Sequence, residues 1–291
     1  MDRPLETTTI PQSSGPDAPP DPPRASMHSI MAHREKAHTG ETPPVISFYQ
    51  ATCNLRPEAG AITPLRYERK WILTGLPLTE VLALVRQLPA AFRPAFPVRQ
   101  VNNVYFDSID LDSYHAHVSG ASRRRKVRLR WYGEFQTLAP HPVLEFKIKH
   151  GSAGWKETFP VSEALLENVL RHNLPRGEWD GDGVPELARQ RLRSLLPTVG
   201  NRYQRHYFCS ARSGVRLTVD SRLGFYSGKG QNQGWRPLLY NGPEVILELK
   251  YDDSQVHEAV NVSNNFPFRL SRCSKYVLGI QHLDGWCGPL Y

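Results

Sequence analysis

Lys126-Val127-Arg128-Leu129-Arg130-Trp131-Tyr132 alternates charge with apolar bulk from its first residue. At the strand period of two, Lys126, Arg128 and Arg130 share one face, and Val127, Leu129 and Trp131 share the other. Arg123-Arg124-Arg125 precedes it, so five of the six residues from Arg123 to Arg128 are cationic. The triple arginine alone reads as a solvated strand entrance, or as a basic ramp for a polyanion.

The same design recurs along the chain. In Arg66 to Leu73, Arg66, Glu68 and Lys70 share a face. In Val143 to Lys149, Glu145, Lys147 and Lys149 stand opposite Leu144, Phe146 and Ile148, and Trp155 to Phe159 returns as a hairpin partner after a Gly turn. Gln100–Asp107, Tyr203–Phe208 and Val215–Asp220 also read as strands, the last with Arg216, Thr218, Asp220 and Arg222 on one face. Val245 to Tyr251 sets Glu248 and Lys250 against Leu247 and Leu249. Apolar stripes predict helices after Pro77, after Ser162, over 186–196 and over 270–283. Leu111–Val118 is a short strand or helical turn.

One strand of this kind needs only a core on one side and water on the other. At least six of them, with Arg, Lys and Glu on the polar face and helices in need of a surface to cover, point further. The predicted fold is α+β: a closed antiparallel eight-stranded β-barrel, or tunnel, with helices packed outside. Such a barrel is just wide enough for a ligand. Buried cations without anions cost several kcal/mol each, so the lumen calls for a triphosphate or phosphate chain. Glutamates among them suit Mg²⁺ or Mn²⁺, hard cations that bridge carboxylate and phosphate oxygens.

The rest of the composition sets the bounds. The chain has 291 residues, 40% of them hydrophobic, and a net charge of +8 with a pI near 9.4, a bias toward anionic partners. Residues 1–43 read as a disordered Pro-rich tail and 44–291 as the folded domain. Within the tail, His33 to Pro43 looks like the end of a zinc finger but has no upstream cysteine pair. The four cysteines are scattered without a C-x-x-C pair, which disfavours structural zinc or a disulfide framework. No apolar run approaches the roughly 18–20 residues of a membrane span, and the start has no signal-peptide core. The expectation is a soluble cytoplasmic protein.

The ordered succession Glu68-Arg69-Lys70, Tyr105-Phe106-Asp107, Lys126-Val127-Arg128-Leu129-Arg130, Glu145-Phe146-Lys147, Tyr203-Gln204-Arg205, Arg216-Leu217-Thr218-Val219-Asp220, Glu248-Leu249-Lys250 and Ser274-Lys275-Tyr276 resembles the VTC domain. This is the polyphosphate polymerase branch of the CYTH, or triphosphate tunnel metalloenzyme, superfamily. The resemblance runs over about residues 62–283. It implies an eight-stranded tunnel that moves the γ-phosphate of ATP onto inorganic polyphosphate or pyrophosphate with a divalent metal, usually Mn²⁺. It further implies phosphate contacts from Arg66, Lys70, Lys126, Arg128, Arg130, Lys147, Arg205, Arg216 and Lys250, with Lys275 closing one end. Glu248 leads as metal ligand, followed by Glu145 and Glu68. Arg66 stands where the triphosphatase branch carries the first carboxylate of its Glu-x-Glu-x-Lys.

On this reading Arg128, Arg130 and Arg216, with Lys147, form the catalytic grip on the γ-phosphate, since guanidinium forks match phosphate geometry. Three alternatives stand beside it: a metal-dependent triphosphatase, a polyphosphate sensor without catalysis, and a nucleic-acid module, which the interleaved carboxylates disfavour. His206 falls out of register with the basic face, and Trp131 and Trp155 read as packing residues. A membrane-protein partner is compatible with the family.

Overall fold

The computed structural model describes residues 66–151, 153–172, 179, 183–228, 234–242 and 245–283. The tail read over 1–43, the finger-like segment and the domain start at 44 lie outside the described residues.

Among the described residues nine strands form one sheet: β1 Arg66–Leu73, β2 Phe92–Asp107, β3 Arg123–Tyr132, β4 Val143–His150, β5 Ala153–Pro160, β6 Leu196–Ser210, β7 Arg216–Ser227, β8 Arg236–Leu238 and β9 Val245–Asp252. Their order is β1-β9-β7-β6-β2-β3-β4-β5, with β8 added to β7, and every pairing is antiparallel. β1 and β4 are thus six strand spacings apart, roughly 29 Å if the sheet were flat. Yet Lys147 Nζ of β4 lies 3.0 Å from Glu68 Oε1 of β1, so the sheet curls almost into a ring.

Among the described residues the ring is not closed by backbone. Among the described residues β1 and β5 share no ladder, which corrects the expected closed eight-stranded barrel to an open, curled sheet of nine strands. Side chains span the gap in place of hydrogen-bonded backbone.

Among the described residues there are six α-helices: α1 Leu78–Gln87, α2 Asp112–Val118, α3 Glu163–His172, α4 Glu186–Leu192, α5 Val256–Asn264 and α6 Lys275–Leu283. The apolar faces of the strands take them. Val127, Leu129, Trp131, Leu144 and Phe146 pack with Leu165, Leu166 and Val169 of α3. Trp71, Leu217, Val219, Leu247 and Leu249 pack with Val81 and Val85 of α1 and Ala259 and Val262 of α5. Ser162 caps α3, accepting from Leu165 N–H at 3.1 Å. The polar faces of the same strands turn inward, toward each other.

Several elements depart from the sequence reading, three of them near the channel. The terminal helix begins at Lys275, and Leu270 instead makes an isolated bridge to Trp71. Leu196 opens β6 and does not end a helix. The face expected to hold Arg216, Thr218, Asp220 and Arg222 breaks after Asp220, because Arg222 adopts a left-handed φ of 52° opposite a register shift in β6. That extra residue is a bulge, and it shifts the alternation beyond it.

α6 docks unusually near the sheet because residue 279 has no side chain. A Cβ there would stand 2.8 Å from Phe225 Cδ1 and 2.9 Å from Val199 Cγ2. Asp107, fully buried, pins the same helix: its carboxylate accepts from the backbone N–H of Ser108, Ser113 and Tyr114, each at 2.9 Å, and from the Tyr276 hydroxyl. One carboxylate thereby ties the end of β2 to α2 and α6. Gly279→Val should overpack this contact and lower stability by about 1–3 kcal/mol. An unchanged urea midpoint would show that α6 does not need so close an approach.

Candidate functional site

The inward face collects charge from seven strands and one helix end. Strand alternation sets which residues face in, and the ladder sets who meets whom: Lys70 lies opposite Glu248, Glu68 opposite Lys250, Arg128 opposite Glu145, and Thr218 opposite Glu248. Three knots result, each built on a buried carboxylate.

Glu145 forms the first. Its Oε2 accepts from Arg128 Nε at 2.7 Å and lies 2.5 Å from Nη2, while Lys156 Nζ reaches Oε1 at 3.0 Å and Arg130 Nη1 stands 3.8 Å off. Arg130 also donates to Asn103 Oδ1 at 2.9 Å and the Tyr203 hydroxyl at 3.3 Å. Burial alone would raise the Glu145 pKa, but Arg128, Arg130 and Lys156 together hold it well below the usual carboxylate range.

Asp220 forms the second. Arg205 grips it bidentately at 2.6 and 2.7 Å, and Lys275 Nζ reaches Oδ2 at 2.6 Å from the first turn of α6. Here too burial pushes upward, and Arg205 with Lys275 overrides it, bringing the carboxyl to about 2. Lys275 Nζ also sits 4.6 Å from the Tyr203 ring centre. Lys275, expected to close one channel end, is thus held by Asp220.

Glu248 and Glu68 make the third. Lys70 Nζ lies 3.4 Å from Glu248 Oε1 and 3.5 Å from Glu68 Oε2, and donates to Cys273 O at 3.3 Å. Lys250 and Arg205 each approach Glu248 Oε2 at 3.5 Å. Burial would raise the Glu248 pKa, and Lys250, Lys70 and Arg205 hold it well below the ordinary value instead.

Together Lys70, Lys126, Arg128, Arg130, Lys147, Lys156, Arg205, Lys250 and Lys275 stand against Glu68, Glu145, Asp220 and Glu248. Eight of these nine basic groups share the four carboxylates, and Lys126 pairs with none of them among the described residues. Lys126 feels the imbalance most. Its Nζ has only a hydroxyl partner among the described residues, Ser274 Oγ at 2.9 Å. Burial first, then Lys70, Lys147 and Arg128, drive its pKa well below 10.5. Lys70, Lys147 and Arg128 around a half-buried amine with no carboxylate partner among the described residues make its charged form costly, a cost that an anion would offset.

The structure sorts the candidate residues. Lys70, Lys126, Arg128, Arg130, Arg205, Lys250 and Lys275 come together in the channel. Arg216 occupies the first position of β7 and is exposed, with Lys250 its neighbour in register. Lys147 is also exposed, bridging to Glu68. Both lie on the rim, outside the inner grip assigned to them. Arg66 is described through its backbone, opposite Asp252. Of the metal candidates, Glu68 and Glu248 converge on one point, now held by Lys70. Glu145 makes no described contact with either, its oxygens being taken by three cations. His206 falls on the outer face, and Trp131 is fully buried.

Sequence reasoning missed Asp220 as the counter-ion, and Lys156, Asn103 and Tyr203 as partners. Lys156 was within reach, since it alternates with Trp155 and Glu157.

For a metal, the described residues contain no group of three acidic, His or Cys side chains. Two convergent carboxylates with phosphate oxygens completing the shell are nevertheless the usual setting of Mg²⁺ and similar ions on phosphates. Glu248 and Glu68 fit such an ion; Glu145 does not.

Filling the channel with an anion should raise the Lys126 pKa. Free, this amine titrates below 10.5; beside phosphate its pKa moves back up. Tripolyphosphate binding at a pH between those two values should therefore take up protons, seen as a dependence of calorimetric enthalpy on buffer ionisation. The Lys126→Met variant should show less uptake. Equal uptake in both would remove Lys126 from the site.

A family model, the VTC domain, matches residues 65–284. No curated protein matches the chain. Among solved structures the fold is similar to a candidate adenylate cyclase from Vibrio parahaemolyticus, at 11% identity and TM-score 0.44 over 75% of this chain and 99% of that one. It is similar also to a Pyrococcus horikoshii protein, at 12% identity and TM-score 0.39 over 73% and 97%. A candidate adenylate cyclase from Bacillus halodurans matches at 13% identity and TM-score 0.43 over 69% and 87%. None of these three distant likenesses bears on chemistry. The family match begins one residue before β1 and ends one residue after α6, spanning every described element of the channel, and the chain belongs to the VTC domain family.

Proposed function

We propose that the chain is a polyphosphate polymerase that transfers the γ-phosphate of ATP to the end of a growing inorganic polyphosphate chain. The observation that carries this reading is the excess of eight basic groups in the channel, Lys147 at the rim aside, over four carboxylates, with Lys126 paired among the described residues only to a hydroxyl. A single phosphate would leave much of that charge unmet. A triphosphate meeting a phosphate chain in line would not.

Phosphoryl transfer through a loose transition state asks mainly for positioning and charge neutralisation. A terminal oxygen of the chain attacks Pγ, the Pγ–O bond to the β-phosphate breaks, and ADP leaves with the bond electrons. That attacking oxygen is already ionised, so no side chain has to act as general base. Arg128 and Arg130 are oriented by Glu145, Asn103 and Tyr203, ready to meet the equatorial oxygens without reorganising. Lys70, Lys126 and Lys275 surround the remaining phosphates, and Lys147 and Arg216 guide chains at the rim. Glu248 and Glu68 would hold a divalent ion, Mn²⁺ or Mg²⁺, which would supply neutralisation of phosphate charge.

Incubation with ATP and Mn²⁺, followed by gel staining for long chains and assay of free phosphate, decides the reading. Chains are expected. Free phosphate without chains would mean a triphosphatase, and ATP binding without either would mean a sensor. Arg128→Ala should slow chain formation about 100-fold, the scale of losing one transition-state donor. Undiminished synthesis in that variant would place the chemistry elsewhere.

A further inference from the structure

β3 carries cations on both faces at its start. Beyond Val127 its outward positions are core residues, Val127, Leu129 and Trp131, all buried. Before Val127 the outward positions are Arg123 and Arg125, the latter in register with Ile148 of β4, which in turn faces Trp155 of β5. Nothing in the channel needs arginines on that side of the sheet. They line a cavity of about 640 Å³ at the start of β3, bounded by α2 and by Arg191 of α4, which Arg124 and Lys149 of the opposite face also border at the strand ends.

This cavity combines two chemistries. Arg123, Arg124, Arg125, Lys149 and Arg191 all line it, and of these only Arg191 has an ion pair among the described residues, with Glu157 at 3.2 Å. The Nε atoms of Arg124 and Arg125 are buried without a hydrogen-bond partner, an arrangement that costs free energy unless a ligand completes it. Beside them Trp155 exposes 49% of its surface. Its indole N–H donates to Glu157 Oε1 at 3.2 Å, so the ring is held by the carboxylate that also holds Arg191. An exposed tryptophan fixed at its polar edge offers a flat apolar surface for stacking.

A site for bare phosphate has no use for the indole, and an apolar site has no use for five cations. The volume is that of a small-molecule pocket. We propose that this groove is a second binding site, distinct from the channel, for a mononucleotide whose base stacks on Trp155 and whose phosphate is held by Arg123 and Arg125. The assignment does not depend on the polymerase reading.

AMP is the probe, since it lacks the triphosphate that the channel is built to hold. Tryptophan emission and calorimetry on the full chain should both show saturable AMP binding. Arg125→Glu should weaken it about tenfold, the loss of one charge-assisted contact. Trp155→Phe should abolish most of the quenching while a heat of binding remains. Thermal midpoints of both variants near that of the parent would show that they fold. Orthophosphate and tripolyphosphate should leave the Trp155 emission unchanged. The proposal fails if AMP does not saturate, if Arg125→Glu binds it as the parent does, or if tripolyphosphate quenches Trp155 as strongly as AMP. It fails also if a single-stranded oligonucleotide outcompetes AMP at the groove, which would make the surface a nucleic-acid track.

Discussion

Everything in the channel follows from holding more positive charge than four carboxylates can match. Glu145, Asp220, Glu248 and Glu68 do not neutralise their neighbours; they fix them. Each sits where several guanidinium or ammonium groups converge, and each keeps its own proton off because of them. The cations are thereby oriented and pressed together at the same time. Removing one member of such a knot leaves an uncompensated buried charge, whereas a polyanion would offset the repulsion across all of them. The preorganisation is a property of the protein's own side chains.

The same charges shape the sheet. β1 and β5 form no ladder between them, yet the ends of the curled sheet are held in reach by Lys147 on Glu68, by Lys126 on Ser274 and by Lys70 on the carbonyl of Cys273. Two of these contacts come from the segment leading into α6. That helix is held down by Asp107 and by the close approach at Gly279. Core packing outside and polar contacts inside therefore meet on one short helix, whose first residue, Lys275, enters the Asp220 knot.

Much of this was legible in the chain. Period-two alternation assigned the inward face of β3, β4 and β9 because side-chain direction in a strand is purely local, and Lys126, Arg128, Arg130, Glu145 and Glu248 all fall where it put them. Depth along the channel was not legible. Arg216 lies on the correct face but at the strand's first residue, and Lys147 is likewise at the rim; alternation carries no information about that coordinate. Pairings across long separations were hidden for a related reason. Asp220 with Lys275, 55 residues apart, and Glu68 with Lys147, 79 apart, depend on strand order, which no local pattern encodes. Closure failed similarly, since charge on one face argues for an enclosed lumen and says nothing of whether the last ladder forms. α5 is a different miss: the Asp252-x-x-Gln255 capping box before it was present to be read.

The most direct test of the central claim is a crystal structure grown with a non-hydrolysable ATP analogue. The account places the triphosphate inside the curled sheet, its oxygens in contact with Arg128, Arg130 and Lys126 and with Lys70 displaced from between Glu68 and Glu248 if a divalent ion is bound. Triphosphate density elsewhere, with the channel side chains still paired only to one another, would contradict it.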